Sequence, residues 1–127
     1  MGYTVYWNQS SYNKLNREFI EDVKTACDKY QADTGDTLDV DTGIDFIKVN
    51  SHNNGCEDLV INNSGAKTEF CKTARQSYTL IVKAILLIAQ KYDYVFNLSC
   101  DDSYDTNHES WNDAKDFVKK YGLLVFN

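Results

Sequence analysis

The sequence predicts an α/β (α+β) fold in which helices pack on a single mixed β-sheet, with the element order β-α-β-β-α-β-α-β. Apolar residues recur with helical spacing in three stretches, and they alternate or run continuously in shorter stretches between them. Turn-forming Asn, Ser and Gly residues separate the two kinds of stretch. The length, with no Pro-rich or Gly/Ser-rich linker and no internal repeat, predicts one domain over residues 1–127.

The first two predicted elements are a strand and an amphipathic helix. Residues 3–8 alternate apolar and polar side chains, as half-buried strands do. Residues 14–31 place apolar side chains three and four positions apart, from Leu15 to Tyr30, so one helix face is expected to be buried. Residues 32–43 follow as an acidic loop.

A hairpin and a buried helix make up the middle of the chain. Residues 44–50 and 58–62 are predicted strands, joined by a strong turn signal at 51–55. Residues 78–91 form the most apolar helix, in which Lys83 interrupts the longest apolar run. This helix has almost no polar face and is therefore expected to be covered on most sides.

The last elements alternate strand, helix and strand. Residues 94–99 are nearly continuously apolar, which is typical of a sheet centre. After a polar loop, Ser110 is a good N-cap for a helix that Gly122 would end, and residues 123–126 form a short strand. The first six elements match the split β-α-β, ferredoxin-like arrangement, extended here by one αβ unit.

The composition argues against a nucleic-acid-binding, membrane-spanning or disulfide-bonded protein. The net charge is −6, and the 13 Lys and Arg residues are scattered, so no basic surface for nucleic acid is expected. The longest apolar run is too short to span a bilayer, and the first residues lack a basic and apolar leader. Four widely spaced cysteines without a Cys-x-x-Cys pair indicate reduced thiols. We therefore expect an intracellular, cytoplasmic protein without membrane association or a cofactor.

A thiol, an ammonium and a guanidinium lie just ahead of the apolar helix, at Cys71, Lys72 and Arg75. Helix N-termini favour negative charge, so these residues could form an anion site and activate Cys71 as a nucleophile. A cysteine hydrolase would also need a base, for which His52 and His108 are the only histidines. Because no cysteine-protease signature is present, a buried structural Cys71 with an exposed Lys72 is the favoured interpretation.

The sequence contains the residue types of a zinc site and of calcium-binding loops, but neither pattern is complete. A zinc site would draw on His52, Cys56, Cys71, and Cys100 or His108, but it lacks the usual close ligand pairs. The alternating oxygen ligands of residues 101–109 and 39–45 lack the Gly and the bidentate Glu of a calcium loop. No metal is therefore predicted.

Several segments resemble a family of small uncharacterised proteins. Its members have Phe-Asn-Gly followed by Cys-Glu-Thr-Phe, matched by residues 51–58, and Phe-Cys-Lys-Thr-Ala-Arg-Lys-Pro-Tyr-Asp before an apolar helix, matched by residues 69–78. The family's acidic turn and Trp-x-x-Ala helix resemble residues 98–102 and 111–114, and Tyr6-Trp7-Asn8 also fits. The resemblance implies the fold and no activity. Gln76-Ser77 replaces the usual Lys-Pro, so a charge role for that Lys is not expected here.

The sequence indicates a complete fold but no reaction, which favours a non-catalytic interaction or binding module, such as a component of a larger assembly. We expect it to bind a protein partner or to self-associate. Its predicted surface comprises Lys72, Thr73, Arg75, Tyr78 and the loop that contains Asp101, Asp102 and His108. Tyrosines, among them Tyr6 and Tyr104, are candidates for the same role. The alternative is a small enzyme or ligand-binding protein that acts on an anionic small molecule through Cys71, Lys72, Arg75 and Asp101.

Overall fold

A computed structural model describes residues 2–123, which contain six strands and three α-helices. The strands are β1 (Thr4–Gln9), β2 (Leu38–Thr42), β3 (Ile47–Ser51), β4 (Leu59–Ile61), β5 (Lys67–Lys72) and β6 (Val95–Cys100). The helices are α1 (Arg17–Thr34), α2 (Thr79–Lys91) and α3 (Asn112–Lys120), the last preceded by a 3₁₀ turn, Glu109–Trp111. Of the predicted last strand, Leu123 is in a turn and residues 124–126 lie outside the described residues.

The strands form two small antiparallel sheets instead of one mixed sheet. The first sheet has the order β5-β1-β6 and the second has the order β2-β3-β4. The predicted hairpin of β3 and β4 is present, but β3 pairs on its other side with β2 and not with the first strand. The single-sheet prediction, and the ferredoxin-like arrangement that depends on it, is therefore wrong.

Two strands lie in segments for which no strand was predicted. The acidic loop contains β2, and the segment ahead of the apolar helix contains β5. Strand β5 was not predicted, because only one of its side chains, Cys71, is buried and the segment therefore has no apolar alternation. Strand β6 was expected at a sheet centre, but it is an edge strand, and its Phe96 is exposed.

The predicted helices are confirmed, with altered ends. The Asn16 side chain accepts a hydrogen bond from the Glu18 backbone at 2.7 Å and so caps α1, which ends at Gly35 with a φ of 74°. Ser110 is not the cap of α3, because the His108 side chain accepts from the Ser110 backbone and the 3₁₀ turn comes first. Gly122 follows α3 with a φ of 68°, as expected of a helix end.

Helix α2 occupies the middle of the core. It packs on α1, α3 and β6, and every residue from 81 to 89 is buried. One cluster of buried residues draws on both sheets and all three helices. Within the described range 2–123, no helix combines the length and apolarity needed to cross a bilayer.

The topology of the first sheet creates a polar end. Because β1 is antiparallel to both neighbours, its amino end lies between the carboxyl ends of β5 and β6. The Thr73 backbone donates to the carbonyl of Tyr3 at 2.8 Å, and the Asp101 backbone donates to that of Thr4 at 3.1 Å. Tyr3 is thereby fixed between the turn after β5 and the turn after β6.

Candidate functional site

Cys100, the last residue of β6, is the centre of a group of hydrogen-bonded side chains. We call this group the Cys100 cluster: Tyr3, Lys83, Cys100, Ser103 and Ser110. The Tyr3 hydroxyl donates to the Sγ atom of Cys100 at 3.0 Å. The Oγ atoms of Ser103 and Ser110 lie 3.3 and 3.5 Å from the same sulfur.

Lys83 extends from α2 into the cluster and is 95% buried, with an exposed fraction of 5%. Its Nζ donates to the Tyr3 hydroxyl at 2.9 Å and to the Ser110 carbonyl at 2.7 Å. It also lies 5.0 Å from the centre of the Trp111 ring. Burial lowers the pKa of Lys83, because removing an ammonium from water disfavours its charged form.

The pKa of Cys100 is set by two opposing effects. Burial raises it, but hydrogen bonds from Ser103, Ser110, Tyr3 and the Asp102 backbone stabilise the thiolate and lower the pKa to about 7. At Cys71, burial together with the charge of Glu57 outweighs the hydrogen bond from Tyr78 and raises the pKa to about 12. Cys100 is therefore the buried thiol that ionises near neutral pH.

A cleft opens beside the cluster on the side of Arg75. The Arg75 guanidinium lies 4.4 Å from the centre of the Tyr3 ring and 3.5 Å from the Asp102 carboxylate. Ala74 and Arg75 both have positive φ angles, 53° and 57°, and this left-handed turn follows directly after β5. We call the cavity the Arg75 cleft; its volume is about 290 Å³ and its lining includes Tyr3, Arg75, Ser77, Thr79, Lys83, Asp102, Ser110 and Asp113.

A second cavity adjoins the first at Asp102. Its volume is about 380 Å³, and it is lined by Tyr6, Ser99, Cys100, Asp101, Asp102, Ser103 and Tyr104. Cys100 is one of its lining residues, although only 6% of the residue is exposed.

Three predicted site residues meet at this end of the sheet. Arg75 faces Asp102 as expected, and although burial acts to raise the pKa of Asp102, Arg75 lowers it below its ordinary value. The Nδ1 atom of His108 is 2.9 Å from the Ser110 hydroxyl and is thus one hydrogen bond away from Cys100. The histidine lies near this cysteine and not near Cys71.

The other predicted site residues lie outside the Cys100 cluster, and two of them contact the Glu57 carbonyl. Cys71 is in β5 and not at a helix start, and its Sγ is 3.5 Å from the Glu57 carbonyl. The Tyr78 hydroxyl is also held there, donating to the same carbonyl at 2.8 Å. Lys72 is exposed, and Thr73 is buried. Cys71 and Lys72 are thus absent from the lining of the cleft to which Arg75 contributes.

Asp101 has a structural role at the edge of the site. Its carboxylate accepts from the Thr4 backbone at 3.0 Å and from the Tyr6 hydroxyl at 3.1 Å. These bonds fasten the turn after β6 to β1, and they leave Asp102 as the carboxylate that faces the Arg75 cleft.

The residues considered for metal sites are dispersed. Among residues 2–123, no group of three or more His, Cys, Asp or Glu side chains could hold a metal ion. The His52 ring is 3.1 Å from Asp39, and an Asp105 oxygen accepts from the Asn107 backbone at 2.9 Å. These groups make local contacts instead of converging on one point.

Sequence reasoning did not identify Tyr3, Lys83, Cys100, Ser103 or Ser110 as a site. One signal was present, since a lysine inside an otherwise apolar helix has to be buried together with polar partners. The partners come from opposite ends of the chain, and residue spacing does not reveal their meeting.

No protein-family model matches the chain, and no curated protein or solved structure shows significant similarity to it.

Proposed function

We propose that the chain is a binding protein for a small ligand that carries an anionic group, such as a carboxylate or a phosphate, in the Arg75 cleft. The observation that supports this most strongly is the burial of the Lys83 ammonium without a carboxylate partner. Its ammonium lines the cleft, is almost fully buried, and has no Asp or Glu oxygen within 4.0 Å in the described part of the chain. A buried cation without a carboxylate is costly, and an anion bound beside it would offset that cost.

The rest of the lining is compatible with such a ligand. The hydroxyls of Ser77, Thr79 and Ser110 can donate to anionic oxygens, and the Arg75 guanidinium stands at the mouth. Asp102 and Asp113 are exposed, so they favour hydroxyl or cationic groups on the outer part of the ligand. A volume of about 290 Å³ is at the small end of ligand pockets and fits a compact molecule.

Calorimetric titration with inorganic phosphate and with succinate tests this proposal. Lys83→Met should weaken binding of the anion that binds by about tenfold or more, because a charged hydrogen bond contributes about 1.5–3 kcal/mol. Arg75→Gln should weaken it less, because that side chain is half-exposed and already paired with Asp102.

Lys72→Gln is the matched control, because it removes one positive charge from an exposed side chain outside the lining of the cleft. It should leave affinity unchanged within about twofold, since exposed charges are screened. Equal losses in Lys72→Gln and Lys83→Met would show general charge attraction and would contradict a site in the cleft. Absence of binding by both anions to the unmodified protein would also contradict it.

A protein-interaction role is the second candidate, and a different surface supports it. Tyr6, Phe70 and Phe96 are large exposed side chains on one sheet, with Tyr6 opposite Phe70 and Phe96 opposite the nearby Asn8. Grouped exposed aromatic residues are typical of contact surfaces. Sedimentation velocity over a range of concentrations tests self-association. Phe70→Ser should reduce it, and a monomer at every concentration would contradict it.

A further inference from the structure

Two hydrogen-bond donors from different elements point at the sulfur of Cys100. The Tyr3 hydroxyl, on the segment before β1, donates to Sγ at 3.0 Å. The Ser103 hydroxyl oxygen accepts from the indole of Trp111 at 3.1 Å, so its own proton is available for Sγ at 3.3 Å. This arrangement stabilises a thiolate.

Lys83 lies behind Tyr3 and completes a chain of donors. Its Nζ donates to the Tyr3 hydroxyl at 2.9 Å, and that hydroxyl donates to Cys100. With no carboxylate within 4.0 Å of Lys83 among residues 2–123, a Cys100 thiolate is the negative charge linked most directly to this ammonium. The lowered pKa of Cys100 agrees with this arrangement.

The cavity in front of Cys100 selects the kind of reagent that can reach the sulfur. With an exposed fraction of 6%, Cys100 is accessible only to a small molecule. The carboxylates of Asp101 and Asp102 line the same cavity of about 380 Å³ and repel anions. A small, neutral reagent is therefore favoured over a bulky or anionic one.

We propose that a neutral hydroperoxide enters this cavity and oxidises Cys100 to a sulfenic acid. The thiolate attacks the terminal peroxide oxygen, an S–O bond forms and the O–O bond breaks. The departing alkoxide or hydroxide takes a proton from solvent. The sulfur is oxidised and the peroxide is reduced to an alcohol or water. This reaction does not depend on the ligand proposed for the Arg75 cleft.

Brief exposure of the folded protein to hydrogen peroxide near neutral pH, removal of the peroxide with catalase, and then unfolding in urea that contains dimedone test the proposal at all four cysteines. Peptide mass spectrometry locates the adducts. Cys100 should acquire the adduct before Cys56, although Cys56 is exposed and Cys100 is buried. Cys27 and Cys71 should stay unlabelled, because burial raises the pKa of each to about 12. Earlier labelling of Cys56 than of Cys100 would overturn the proposal.

Tyr3→Phe should slow oxidation of Cys100 by about tenfold or more, because it removes a hydrogen-bond donor that stabilises the thiolate. It should also shift the pH profile of iodoacetamide alkylation of Cys100 upward, which a purely structural defect would not do. Tyr6→Phe is the matched control: Tyr6 lines the same cavity, but its hydroxyl donates to Asp101 at 3.1 Å and not to the sulfur.

If Tyr3→Phe does not fold, Ser103→Ala provides the second test, since it removes the other donor to Sγ from an exterior turn. It should raise the pH at which Cys100 is alkylated and slow its oxidation by peroxide. Unchanged oxidation in Ser103→Ala together with equal effects of the two tyrosine variants would contradict the role of these donors.

Discussion

Trp7 and Trp111 are both buried, but their indole N–H groups differ in hydrogen bonding. The Nε1 atom of Trp111 donates to Ser103 Oγ at 3.1 Å. That of Trp7 has no hydrogen-bond partner in the part of the chain that the structure describes. An unsatisfied buried donor costs about 1–3 kcal/mol, so the two tryptophans should differ in how well they tolerate loss of this group.

Phenylalanine at each position separates the two cases. Trp7→Phe removes an unsatisfied donor along with some apolar area, whereas Trp111→Phe also removes a hydrogen bond and leaves Ser103 without it. We expect the loss in free energy of unfolding to be smaller for Trp7→Phe by about 1–2 kcal/mol. Urea denaturation measures both values; an equal or larger loss in Trp7→Phe would contradict the assignment.

At the level of elements, α2 combines a nearly complete apolar surface with one buried ammonium. All residues from 81 to 89 are buried, and Lys83 is the only charged residue among them. Two hydrogen bonds to neutral partners only partly replace the water that the ammonium loses. We therefore expect Lys83 to lower the free energy of unfolding relative to an apolar residue at this position.

Lys83→Met should raise the free energy of unfolding by about 1 kcal/mol, because methionine keeps the unbranched shape and removes the buried charge. Gln90→Met, at an exposed position of the same helix, should change stability by less than about 0.5 kcal/mol. Thermal and urea unfolding measure both variants. A loss of more than about 2 kcal/mol in Lys83→Met would show that its hydrogen bonds outweigh its desolvation.

For the whole molecule, the cysteines make stability depend on pH in two directions. Cys100 has a pKa of about 7 in the folded chain, below the ordinary value of 9.0, so between these values the unfolded chain binds more protons. The free energy of unfolding should therefore rise with pH in that window. Cys27 and Cys71, raised to about 12, act oppositely above their ordinary value of 9.0.

We expect the free energy of unfolding to rise by no more than about 2 kcal/mol from neutral pH and to reach its maximum near pH 9. Cys100→Ser should remove the rise below the maximum and keep the fall above it. Chemical denaturation at a series of pH values measures this. A rise of the same size in Cys100→Ser would assign it to other groups.

Secondary structure was predictable where the periodicity was strong. Helices α1 and α2 follow their apolar spacing closely, and the hairpin of β3 and β4 follows its turn residues. Strand β2 was not predicted although Leu38 and Val40 alternate with acidic residues, because closely spaced carboxylates are also typical of an exposed loop. Strand β5 shows no such alternation of apolar and polar residues. It is recognised as a strand by its antiparallel pairing with β1.

Strand pairing and the site were less predictable, because both depend on contacts between distant parts of the chain. A period of two identifies a strand and its buried face but not its partner, so one sheet and two sheets fit the same pattern equally well. Arg75 and Asp102 were predicted to share one polar surface, although the strand before Arg75 was missed. Cys71 and Cys100 both lie opposite Val5, and the residue pattern does not reveal that their pKa values are shifted in opposite directions.

The position of β1 between β5 and β6 has a consequence for the order of folding. Both of its partners come late in the chain, and Val5 pairs with Cys100. Such distant contacts incur a large loop-closure entropy before they contribute stability, which slows folding to roughly milliseconds or seconds. During synthesis, β1 therefore has no strand to pair with until β5 has left the ribosome, and its other edge stays open until β6 follows.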